Sequence, residues 1–428
     1  MILSTLPHIA RIVLLGAIGA LLGSFINWAI YSWPYFLKRP ISPWMKPDET
    51  SPPRTWVDRV PIIGWLFLRR EHTVHGRAFW LRPLLIELLW VLGLPWFYYW
   101  QLSGGLTGGP LTPLPPTWNL WVETWFVAHT LLLALMFIAT FIDFDERTIP
   151  DNITVPGTLM ALSFAALTPW FRLPHVVPNM LGNGAESIHF ASSAQLPVWH
   201  HSQLGLGFAV AIFIVWILAL LPKICTLRFG VLRGIKIMIA STLRPKRKSQ
   251  CPIRKQQRRP EPMTLTLSVI GLIGVLAIVA VYQLLPPKNW DSLLGSLVGL
   301  GFGGGMVWSI RIVARYAMQR EAMGFGDVTL MAMIGAFLGW QSALLTFAFA
   351  PFAALLIVLA CFLITKETEL AFGPYLCFGC LMLLFGWSQI WPAASRQFFA
   401  FGPLLFVFLL VALAAMAVML LLIQWFKS

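Results

Sequence analysis

Apolar runs long enough to cross a bilayer recur along almost the whole chain, with polar loops between them. About 20 such residues span the hydrocarbon core. The runs lie at 9–33, 84–102, 121–142, 153–171, 204–221, 263–285, 291–314, 328–364, 371–388 and 401–425. The pattern predicts an all-α, polytopic membrane helical bundle of about 9–11 transmembrane helices, one or two of the later runs being long enough to divide. Gly19 and Gly23 in the first run, and Gly295, Gly299 and Gly303 in a later one, repeat every four residues. Such rows let helices approach closely inside a membrane. The first run is too long, and lacks the small-residue cleavage site, to be a removed signal peptide.

Composition agrees: 58% of the residues are hydrophobic, only 11% are charged, and 21 are Trp, a residue enriched at membrane interfaces. The net charge of +14 is confined to particular loops. Loop 34–82 has nine Lys and Arg against four acids, whereas 103–116 has neither Lys nor Arg. Basic loops stay cytoplasmic, which sets the N-terminus outside. Loop 223–262 carries twelve basic residues and one acid, Glu261. With no aromatic interleaving it suits anionic lipid headgroups, not nucleic acid. The four histidines of external loop 172–203 (175, 189, 200 and 201) are scattered through a Pro/Gly/Ser-rich stretch and suggest no metal site. His72 and His75 lack a second ligand pair and read as solvated. Cys377-Phe-Gly-Cys380 has redox-motif spacing but lies in an apolar run, so packing is expected.

Chemistry concentrates where two apolar runs meet acid. One ends at Ile142 and is followed by Asp143, Asp145, Glu146 and, past Pro150, Asp151. Another begins just after Met323-Gly-Phe-Gly-Asp327. A charge at mid-bilayer costs roughly 3 kcal/mol on insertion scales, so these carboxylates belong at a membrane edge or in a polar cavity. Alternating crossings put Asp143 and Asp327 on the same, cytoplasmic side. Two carboxylates brought together can share one proton, one serving as base toward water and the other as acid. Gly324 and Gly326 are expected to let an extended substrate backbone lie against them.

These residues resemble the two signature motifs of the bacterial type IV prepilin peptidases, the GxGD membrane aspartyl proteases: Asp143 with Pro150-Asp151, and Gly324-Phe-Gly-Asp327. Gly23-Ser-Phe-Ile-Asn27, Asp58 to Trp65, Arg82 to Glu87 and Phe372-Gly-Pro-Tyr375 resemble further segments of the family, in its order. The resemblance implies that Asp143 and Asp327 are the catalytic pair, that Asp145 and Asp151 are not, and that Gly324 and Gly326 bind substrate. It also implies a membrane endopeptidase removing a short basic leader from pilin or type II secretion pseudopilin precursors at the cytoplasmic face of the bacterial inner membrane. Proteolysis of this kind needs no cofactor.

The departures bear on the family's second activity, N-methylation of the product. The two CxxC pairs that bind zinc in its cytoplasmic loop have no counterpart, since no Cys precedes Cys225. This counts against zinc and against methyl transfer; S-adenosylmethionine is implied only if that transfer is retained. Ser32 and Thr329 stand where basic residues are common, and Asp143 and Asp327 are 184 positions apart, more than is usual. The division expected is a first helix (1–33), a degenerate loop domain (34–82), and a peptidase core carrying the first Asp (83–171). An inserted helical hairpin with its loops (172–285), a core with the GxGD motif (286–390) and a last helix (391–428) follow. Two rivals are a proton- or cation-coupled transporter, which would need mid-bilayer carboxylates and matching halves, and a non-catalytic assembly protein derived from a peptidase.

Overall fold

The computed structural model describes residues 2–35, 41–47, 51–109, 116–178, 185–190, 198–221, 263–318, 323–364 and 371–427. Basic loop 223–262, with Cys225 and Cys251, lies outside these. Among the described residues eleven helices of fourteen residues or more carry the fold: α1 (His8–Ser32), α2 (Leu81–Leu102), α3 (Pro116–Glu146), α4 (Asp151–Leu167), α5 (Gln203–Leu220), α6 (Met263–Leu284), α7 (Pro287–Met318), α8 (Phe325–Leu338), α9 (Trp340–Ile364), α10 (Gly373–Gln397) and α11 (Leu404–Lys427). Eight of the described helices are long and apolar enough to cross a membrane, and α8 and the described part of α9 are shorter apolar helices. The chain is therefore an all-α, multi-pass membrane bundle.

Local chemistry explains the breaks. Pro150 precedes α4 with extended backbone (ψ 140°), because the residue before a proline and the missing N–H both disfavour a continuing helix. Run 328–364 is two helices parted at Gly339, whose φ of 88° is reached cheaply only without a Cβ. Its N–H closes the last turn of α8 on the Gly335 carbonyl at 2.8 Å. A ribbon that hydropathy does not announce pairs β1 (Pro174–Pro178) with β2 (Ala185–Phe190) antiparallel, His175 opposite His189. It is tied to α10 by Trp387 Nε1, which donates to the Pro174 carbonyl at 2.6 Å, and by Trp391 Nε1, which donates to His175 Nδ1 at 2.6 Å.

At the centre α7 packs along α8, which also touches α3, α4, α9 and α10. All of α8 from Asp327 to Leu338 is buried, as expected of a helix apolar on every side. A Cβ on Gly299 would collide with the Gly335 carbonyl, and one on Gly335 with the Gly299 carbonyl. A Cβ on Gly303 would come within 2.5 Å of the Met331 carbonyl oxygen. Gly295, the third member of the row, instead makes room for the buried guanidinium of Arg172. In α1, Gly19 and Gly23 lie against the α2 backbone at Trp90 and Glu87. The hairpin α5–α6 packs on itself and against α7. Cys377 and Cys380 are buried free thiols in α10.

Because nothing between α7 and α8 can yield without moving backbone, Gly335→Ala should destabilise the protein by about 1–3 kcal/mol, the usual range for overpacking. Gly93→Ala, where an added Cβ meets nothing within 4 Å, should leave it unchanged. Thermal unfolding of the two variants in detergent makes the comparison, and equal midpoints would disprove the close-packing account.

Candidate active site

Asp143 stands on the last turn of α3 and Asp327 on the first turn of α8, 4% and 6% exposed. Each carboxylate satisfies a helix N-terminal amide, a group with no partner within its own helix. Asp143 Oδ2 accepts from the Gly373 N–H at the start of α10, at 3.1 Å. Asp327 Oδ2 accepts from the N–H of Gly324, the N-cap of its own helix, at 3.1 Å. The chain leaves α3 through Arg147, whose φ of 54° turns it sharply, and Ile149 then packs between the two sites. A Cβ on Gly373 would come within 2.8 Å of Ile149 Cδ1 and 2.5 Å of Asp143 Oδ2. A Cβ on Gly326 would come within 2.9 Å of Ile149 Cβ. One buried side chain thus seats both glycines, linking the turn whose Gly373 amide holds Asp143 to the turn that carries Asp327.

Several partners here are not announced by the sequence. Gly373 belongs to Phe372-Gly-Pro-Tyr375, but nothing in that motif points to an aspartate 230 positions earlier. Buried Arg311 of α7 donates from Nε to the Met323 carbonyl at 2.9 Å and lies over the Phe325 ring, fixing the approach to α8. Gly326 lies against Ile149, so its small size serves this turn. Around Gly324 the nearest neighbour of an added Cβ is Asp327 Oδ2 at 3.5 Å. The other acids of the first motif are held elsewhere. Asp145 pairs with Arg82 at 2.9 Å, and Glu146 Oε2 accepts from the Tyr35 N–H at 3.1 Å. The Asp151 N–H donates to the Tyr35 hydroxyl at 3.1 Å.

The segments of α1, the loop and α2 that resemble family motifs converge on Glu87. Its carboxylate accepts from Asn27 Nδ2 at 3.1 Å, Trp65 Nε1 at 2.9 Å and the Ile62 N–H. Asn27 also donates to the Pro83 carbonyl at 2.9 Å. Two bidentate ion pairs brace the rest of the loop. Arg54 grips Glu71 at 2.9 and 2.8 Å, and Arg70 grips Asp58 at 2.9 and 2.6 Å. Partial burial raises the Asp58 pKa, but Arg70 and Thr55 outweigh it and hold the carboxyl below its usual range. His75 is not solvated: its side chain is 1% exposed, with Nε2 3.2 Å from Glu71 Oε2. The adjacent His72 instead turns Nδ1 to the Arg69 carbonyl at 3.2 Å. This donor set, with two histidines and no cysteine, does not fit a thiolate zinc site.

The fold and site define a polytopic helical membrane protein with two buried aspartates at helix ends. Two segments of the chain are similar to models of one family of membrane peptidases. The model of the "Type IV leader peptidase family" matches residues 255–359, including Asp327, and that of the "Bacterial Peptidase A24 N-terminal domain" matches 17–102. Asp143 lies outside both segments. Curated relatives carry the name "Prepilin leader peptidase/N-methyltransferase". The chain is 33% identical over 123 residues to that of Pectobacterium carotovorum subsp. carotovorum, covering 28% of this chain and 40% of the relative. It is 35% identical over 136 residues to that of Pseudomonas aeruginosa, covering 27% and 47%. It is 28% identical over 132 residues to that of Escherichia coli, covering 30% and 54%. The chain thus spans about half the length of these relatives. No solved structure matches it.

Since Arg54 and Glu71 have side chains 3% and 0% exposed, Glu71→Gln would leave a buried guanidinium without its countercharge. A loss of about 3–5 kcal/mol is expected for breaking one side of such a pair. It should appear as faster proteolysis within 51–80 while the helices stay resistant. An unchanged digestion pattern would show that the pair does not brace the loop.

Proposed function

We propose that this protein is a membrane aspartyl endopeptidase that removes the leader from type IV prepilin-like precursors, with Asp143 and Asp327 as its catalytic pair. The observation that carries the reading is that two buried carboxylates from segments 184 positions apart are each anchored by a helix-terminal amide, with Ile149 packed against the glycine turns on both sides. The ionised member takes a proton from water, whose oxygen attacks the scissile carbonyl, while the protonated member hydrogen-bonds the carbonyl oxygen. Collapse of the tetrahedral intermediate breaks the C–N bond, and the proton first taken from water goes to the departing amine. Gly324, less hemmed in than Gly326, is the place for an extended backbone beside Asp327.

An apolar groove supports a substrate with a hydrophobic helix. A cavity of about 840 Å³ between α5, α7, α8 and α11 extends from Trp199 and His200 to Phe325 and Val328, next to Asp327. The reading places the precursor's apolar helix there and its leader at the carboxylates, on the cytoplasmic face of the inner membrane. The relatives' names also include N-methyltransferase, an activity that would use S-adenosylmethionine. It is a separate property, read from the mass of the cleaved product.

Asp143→Asn and Asp327→Asn should each lower the cleavage rate by about 10²–10⁴-fold, the usual weight of a positioned acid or base, with protein levels in the membrane unchanged. Asp145→Asn, a partly exposed partner of Arg82, should stay near the parent. Cleavage of a pilin-type precursor in proteoliposomes measures all three. Full activity in either of the first two variants would refute the peptidase assignment in favour of a non-catalytic relative or a transporter.

A further inference from the structure

A second cluster of ionisable side chains stands at the other end of α7. Arg311, which fixes the approach to Asp327, and Asp291, near the start of the same helix, are twenty residues apart. That is about 30 Å at 1.5 Å per residue. Asp291 faces the short turn Val198–His201 that leads into α5. His200 Nε2 lies 2.8 Å, and His201 Nε2 3.3 Å, from the same oxygen, Asp291 Oδ1. The two imidazoles are 3.9 Å apart between centroids, and one ligand atom from each of the three residues falls within 4.8 Å of the others. The histidines look scattered in the sequence because the group that gathers them is 91 positions from His200.

We propose that His200, His201 and Asp291 form a binding site for a divalent transition metal of the zinc type, separate from the carboxylate pair. Bonds of about 2.0–2.2 Å to a tetrahedral ion put neighbouring ligand atoms about 3.3–3.5 Å apart. The observed 2.8 and 3.3 Å therefore need only small side-chain rotations. Two imidazoles and a carboxylate suit zinc, and a fourth position would go to water. Access is open on one side, since the His201 and Asp291 side chains are 47% and 27% exposed while His200 is 7% exposed.

The backbone around the cluster is fixed. Trp290 Nε1 donates to the His200 carbonyl at 2.9 Å, and the Tyr282 hydroxyl donates to the His201 carbonyl at 2.8 Å. Both donors come from the segment at the α6–α7 junction, so the ligands are held before any ion arrives. Arg172 is the opposing charge. Its guanidinium donates to the carbonyls of Asp291 (3.2 Å) and Ser292 (2.8 Å). Its charge weakens binding of a dication, which the three ligands must outweigh. A bound ion would clip the turn before α5 to α7 at the outer mouth of the apolar groove, which Trp199 and His200 line.

The test uses the full chain purified without a histidine tag, equilibrated with zinc chloride, then desalted and analysed for metal. About one zinc per chain is expected, falling to background in Asp291→Asn and in the double variant His200→Gln/His201→Gln. It should be retained in His72→Ala/His75→Ala, which removes the loop histidines. Cobalt(II) offers a second readout on the parent protein should the variants fail to accumulate. The intense visible absorption of a tetrahedral site should appear at one equivalent and be bleached by zinc. No bound zinc, zinc that survives loss of Asp291 and both histidines, or a cobalt spectrum no stronger than that of the aqueous ion would each overturn the proposal.

Discussion

The contact on which the rest of the structure depends is the one between α7 and α8, where Gly299 and Gly335 bring two backbones together with no side chain between them. Inside a membrane, lipid is as apolar as the helix surface, so association rests on packing and interhelical hydrogen bonds. The Gly row supplies the packing, and Ser296 Oγ adds a hydrogen bond to the Ala336 carbonyl. Fixing α8 this way allows it to be short. Its fourteen residues rise about 21 Å, less than the ~30 Å hydrocarbon core, so at least one end lies within the membrane's thickness. Irregular backbone is tolerated at that depth only when protein surrounds it. Gly324, Asp327 and Ile149 meet in such surroundings.

Much of this was legible because membrane chemistry is severe. An aspartate against an apolar run demands a reason, so Asp143 and Asp327 stood out from neighbours with identical side chains. The Gly rows were legible for the same cause, a helix face with no bulk. Gly295 shows the limit, since spacing reveals an open face but not that a guanidinium will fill it. Gly373 was illegible as the partner of Asp143, because a glycine before a proline at a helix start has a sufficient local explanation. His75 carried a signal that was passed over: Glu71 lies four positions earlier, which aligns the two on one face of a turn.

The loop between α1 and α2 is braced by its carboxylates. Asp58, Glu71 and Glu87 each gather several donors, and the two arginine pairs are bidentate. Bidentate geometry fixes orientation as well as distance, and orientation is what a loop lying over two helix ends needs. The hydrogen bonds of Glu87 then join α1, α2 and the loop at one buried point.

The long separation of the two aspartates follows from which face of α7 each neighbour takes. One side of this helix is occupied by α8 and α4, which carry the buried end where Ile149 sits, and another receives the hairpin α5–α6. The described helices between α4 and α7 pack on each other and on α7. The apolar groove has α5 as one wall and α8 as another, so a helix lying in it would touch the hairpin along its length and reach Asp327 only at one end. Selection among helical ligands would then depend on residues of α5 such as Phe208, Ile212 and Val215. The chemistry at the carboxylates would depend on none of them.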